Sequence, residues 1–144
     1  MIIEMNSGDP LVMLIDESAT DNKVNTKMLM HYGFSQRVSV FNNTKDALSY
    51  LRAATANEQD HSRVPCIIFV SCKLFLNKEM PFMKAYNELP KELKLKCKIV
   101  MLSGFADAGT AVKERSIFMQ LNKPLIGRDV ESLASSMRAY AQAV

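Results

Sequence analysis

The sequence predicts an α/β fold of three layers, an open parallel sheet of five strands with helices on both faces. Three observations predict it. Short unbroken apolar runs rich in β-branched residues recur along the chain, and runs that brief read as strands buried on both sides. Segments with helical spacing of apolar residues lie between them, so strand and helix alternate five times over. At 144 residues the chain suits one domain with a real core and is too short for an eightfold barrel.

Residues 1–10 read as an N-terminal extension and 11–144 as the domain. Leu11 to Ile15 is the first strand, ending in Asp16-Glu17-Ser18. Ser18 or Thr20 can cap the following helix, which carries Val24, Met28 and Tyr32 at helical spacing and stops before Gly33. Arg37 to Phe41 is the second strand, with Val38 and Val40 on one side. Asn43 or Thr44 then caps a helix whose apolar positions are Ala47, Leu48 and Leu51. Ala53 to Arg63 has no periodicity and reads as a loop with a frayed helix end.

The central strand spans 66–71, and Ser71 breaks its apolar run. Pro81 suits the first turn of a third helix with Phe82, Ala85, Tyr86 and Leu89 on one face, closed by Pro90. Lys91, Lys94, Lys96 and Lys98 form the densest basic segment and read as a solvated connector. Lys98 to Leu102 is the fourth strand, followed by Ser103-Gly104 and a weaker helix at about 107–114. Ile117 to Leu121 is the fifth, ending in Asn122-Lys123-Pro124. The last helix has the clearest stripe: Val130, Leu133, Ala134, Met137 and Tyr140.

Composition sets limits on function. With 48% hydrophobic and 23% charged residues the chain is an ordinary globular one. No apolar run reaches the ~18 residues of a membrane span. The first ten residues lack a basic segment followed by a long apolar core, so no secretory signal is expected and a cytoplasmic protein is the default. A net charge of +3 spread along the chain does not point to nucleic acid. Three cysteines without a C-x-x-C pair read as buried, reduced thiols. Neither His31 nor His61 is near a cysteine in sequence, so no zinc site is expected. The ten methionines are scattered, as core filling would scatter them.

In an open α/β sheet, ligands and chemistry collect beyond the carboxyl ends of the strands. Here those ends carry Asp16 and Glu17, Ser71, Ser103 and Lys123. Adjacent carboxylates are costly to crowd together unless a cation joins them. Each residue alone has a plainer use: acids suit helix N-termini anyway, and a lysine before a proline suits a turn. The constellation of two carboxylates, two hydroxyls and one ammonium at a single edge is the informative feature.

That constellation resembles the receiver domain of bacterial two-component response regulators, from about Leu11 to Tyr140. Leu-Ile-Asp-Glu-Ser at 14–18 is similar to the first-strand acidic pair of that family, which holds a divalent cation. Ile-Val-Met-Leu-Ser at 99–103 is similar to its fourth strand with a terminal switch hydroxyl, here Ser103. Leu-Asn-Lys-Pro-Leu at 121–125 is similar to the motif whose lysine, here Lys123, pairs with the phosphoacceptor. Lys45-Asp46-Ala47-Leu48 adds to the likeness with single-domain members. The resemblance implies a flavodoxin-like fold with strand order 2-1-3-4-5. It also implies a Mg²⁺ site at Asp16 and Glu17.

The departures are equally specific. Where the family has the aspartate that takes a phosphoryl group from a histidine kinase, this chain has Ser71. Lys73-Leu74-Phe75 and Lys78-Glu79 replace the residues that usually follow, and Gln120 stands at the aromatic switch position. A carboxylate can attack a phosphohistidine without losing a proton, whereas a serine hydroxyl needs a base. Loss of one carboxylate leaves two for Mg²⁺, so metal binding is expected to be weakened. Lys73 is a candidate to offer its ammonium to Asp16 or Glu17 in the metal's place.

The resemblance therefore implies a receiver-like module, not an enzyme, impaired in aspartate phosphorylation and acting through protein partners. Those partners would be a histidine kinase or a downstream effector, met through the fourth helix, fifth strand and fifth helix, with a homodimer as a further route. A second reading keeps phosphorylation but moves it to Ser71, Ser103 or Asp16. A third pairs Ser71 with Lys123 as a Ser-Lys hydrolase. The two carboxylates oppose it by holding the lysine charged, and the chain has neither a Gly-rich phosphate loop nor a G-x-S-x-G elbow.

Overall fold

Alternation along the strands decides the layers. A computed structural model describes residues 10–56, 62–104, 107 and 116–143. The strands are β1 (Leu11–Ile15), β2 (Arg37–Phe41), β3 (Ile67–Ser71), β4 (Lys98–Ser103) and β5 (Ile117–Asn122). They form one parallel five-stranded sheet in the order β2-β1-β3-β4-β5. In the central strands Met13, Ile15, Ile68, Val70, Ile99 and Met101 point into one apolar layer. Val12, Leu14, Ile67, Phe69, Val100 and Leu102 point into the other. Two covered faces are why these strands read as unbroken apolar runs.

The helices are α1 (Ala19–His31), α2 (Thr44–Thr55), α3 (Cys72–Phe75), α4 (Phe82–Tyr86), α5 (Lys91–Lys96) and α6 (Gly127–Ala143). The first layer is closed by α2 through α5, with Leu48, Leu51, Phe75, Phe82, Tyr86 and Leu93. The second is closed by α1 and α6, with Leu29, Val130, Leu133 and Ala134. The chain thus has the flavodoxin-like three-layer architecture, with the expected strand order.

Ser18 and Asn43 cap α1 and α2 as expected, each side chain accepting from the backbone N–H three residues on. Gly33 takes φ 70°, the left-handed conformation that ends a helix cheaply only for glycine. Three expectations are corrected. The apolar spacing put Val24 inward, but Val24 is exposed and the buried positions of α1 are Asn22, Asn25 and Leu29. The two asparagines bury because backbone groups of neighbouring loops bond to their amides. Val40 is also exposed, on the edge strand.

The third correction concerns 72–96. One helix closed by Pro90 was expected, and three short ones form. Ser71 starts α3 by accepting from the Leu74 N–H, and Pro90 stands at the start of α5 rather than only at an end. The basic segment is therefore partly helical. The expected N-terminal extension, apart from Pro10, and the expected helix at about 107–114, apart from Asp107, lie outside the described residues.

Candidate functional site

Asp16 follows β1 directly and is 1% exposed. Its backbone N–H donates to the Phe41 carbonyl, 3.1 Å away, so the edge strand fixes where its side chain starts. One carboxylate oxygen accepts from the Ser18 N–H at 2.9 Å, and the other from Lys123 Nζ at 2.8 Å. Lys123 arrives from the far side of the sheet, at the end of β5, its N–H donating to the Ser103 carbonyl at 2.9 Å. The same ammonium also meets Asp21 Oδ2, in the first turn of α1, at 2.9 Å. One cation is therefore clamped by two carboxylates.

Burial opposes both charges here, and the pairing answers unequally. Burial pushes the Asp16 carboxyl above the usual carboxylate range, against the bond from Lys123, the Ser18 N–H and the ammonium's charge. Burial would lower Lys123, but its bonds to Asp16 and Asp21 outweigh that and hold it above the usual lysine range. Lys123 is thus a firmly protonated cation and not a general base.

Ser71 ends β3 with its hydroxyl donating to Glu17 Oε2 at 2.7 Å while accepting from the Leu74 N–H at 3.3 Å. Ser103 ends β4, and its Oγ accepts from Gln120 Nε2 at 3.0 Å. Gly104 follows; a Cβ there would come within 3.3 Å of Lys123 Cε, so a bare backbone leaves the lysine its course. The residues singled out in the sequence therefore meet as three pairs: Asp16 with Lys123, Glu17 with Ser71, and Ser103 with Gln120.

Lys73 does not join them. It is exposed and makes no ion pair among the described residues, and the ammonium expected from it at Asp16 belongs to Lys123. The Ser71–Lys123 pairing of a hydrolase is not formed either, since each side chain is bonded elsewhere. Two participants escaped the sequence reading. They are Asp21, in the first turn of α1, and Asn25, one turn further on. Asn25 Oδ1 accepts from the Leu125 N–H at 2.9 Å and so anchors the loop that carries Lys123. Their only signal was spacing: positions 21 and 25 lie one helical turn apart, on one face.

The residues present do not fit the divalent cation that the resemblance implies. One Asp16 oxygen faces an ammonium at 2.8 Å, where a second cation would be repelled. Glu17 is turned to Ser71. Among the described residues no group of three or more His, Cys, Asp or Glu side chains could hold a metal ion. No helix of the described residues is long and apolar enough to cross a membrane.

Comparison with known proteins gives the fold its relatives. No family model matches the sequence, and no curated protein matches it. Among solved structures, a response regulator receiver protein from Dyadobacter fermentans is 23% identical, with TM-score 0.66, over 88% of this chain and 96% of that one. A two-component response regulator from Cytophaga hutchinsonii is 15% identical, with TM-score 0.70, over 92% and 99%. A CheY-like receiver domain from Methylobacillus flagellatus is 20% identical, with TM-score 0.68, over 91% and 99%. At these identities the likeness is one of fold. This chain has the fold of response-regulator receiver domains from end to end of theirs.

Proposed function

We propose that this chain is a receiver-type module of two-component signalling that works without phosphorylation of an aspartate at the end of β3. The observation that carries the proposal is Ser71 at that strand end, beside an Asp16–Lys123 pair that already neutralises itself. In a phosphorylated receiver the lysine would answer charge arriving on the acceptor. Here its ammonium is committed to Asp16 and Asp21. Mg²⁺ binding is correspondingly weak. Output passes through a protein partner, a histidine kinase or an effector, or through a second copy of the chain, in the cytoplasm and without nucleic acid.

The test is incubation with Mg²⁺ and acetyl phosphate, read by intact mass. The expected result is no phosphoryl adduct on the unaltered protein and an adduct on Ser71→Asp. An adduct on the unaltered protein contradicts the proposal.

One observation favours a second reading. The Ser71 hydroxyl donates to the Glu17 carboxylate at 2.7 Å, the arrangement by which a base takes a proton from a nucleophilic hydroxyl. Ser71 would then be a substitute acceptor. This reading predicts an adduct that Ser71→Ala abolishes and that Glu17→Gln reduces; Ser103 has no carboxylate at its hydroxyl, and Asp16 is buried with both oxygens already bonded, so both rank below it.

A further inference from the structure

We draw no further inference here: the strongest candidate, the cavity of about 360 Å³ at the amino edge of the sheet between α4, the starts of β4 and β5 and the end of α6, has its two lysines already engaged, Lys94 with the Asn87 carbonyl and Lys98 over the Tyr140 ring, and nothing in the structure shows what covers it.

Discussion

Helix α1 has two polar faces, about 100° apart, that end very differently. On one, Asp21 and Asn25 reach across to the β5 loop, where Asp21 meets the Lys123 ammonium and Asn25 holds the Leu125 N–H. On the other, Asn22 Oδ1 and Thr26 Oγ1 are buried and unpartnered. The first face belongs to a closed site whose charges satisfy one another. The second borders an open cavity, but its two unpartnered oxygens are shut off from solvent. A single helix thus carries one face bonded across to the β5 loop and one face whose buried oxygens have no partner.

The strongest way to break this contrast is to remove the shared cation. Lys123→Ala leaves Asp16 buried without its ammonium and should cost about 3 kcal/mol in urea unfolding. Adding Asp16→Asn should recover part of that loss, because the cost lies in the stranded charge. Additive losses in the double variant would contradict the pairing. Asn25→Leu comes next: it strands the Leu125 N–H and should cost about 1–3 kcal/mol.

On the open face the same experiment should give almost nothing. Thr26→Val removes a hydroxyl that has no partner, so its effect on unfolding should stay within about 0.5 kcal/mol or be stabilising. A loss comparable with Asn25→Leu would mean that Thr26 is bonded after all. Asp21→Asn should also be mild, about 1 kcal/mol or less, because the Asp21 side chain is 41% exposed and screened by solvent.

The pH dependence sharpens the picture from another side. Burial pushes the Cys66 thiol up to about 11 and Cys97 up to about 12, from an ordinary value of 9.0. Lys123 is raised as well. Groups whose folded values are raised contribute stability that is complete below their unfolded values and lost as pH climbs through the folded ones. Stability should therefore be unaffected by these groups at neutral pH and fall above about pH 9, most steeply toward pH 12. For Asp16, raised by burial, the same rule runs in the acid range: it takes up its proton more readily folded than unfolded and does not drive acid unfolding. An acid transition removed by Asp16→Asn would contradict this.

The architecture was legible because its signals are local. Apolar runs at 11–15, 67–70 and 99–102 need two covered faces, and the residue ending each run marks the carboxyl edge. Ser71 and Lys123 could be picked out for that reason. What could not be read were contacts across the sheet. Nothing near Lys123 in sequence indicates Asp21, and Lys73 stands two residues past the end of β3 yet is exposed, while Lys123 holds Asp16. The interior of α1 was misjudged for a related reason. An apolar stripe assumes that apolar groups bury, whereas Asn22 and Asn25 bury through bonds to backbone groups on β1, β2 and the β5 loop. The break of 72–96 into three helices came from Ser71 and Pro90, residues that start helices as readily as they end other elements.

If Lys123, 2.8 Å from Asp16, fills the place a divalent cation would need, Mg²⁺ should find no site at this edge. The measurement is a Mg²⁺ titration followed by backbone amide shifts. The predicted result is no saturable change at Asp16, Glu17, Ser71 or Lys123 up to about 10 mM, and recovery of binding in Ser71→Asp with its added carboxylate. Saturable binding at Asp16 and Glu17 in the unaltered protein, with Kd below about 1 mM, would contradict it.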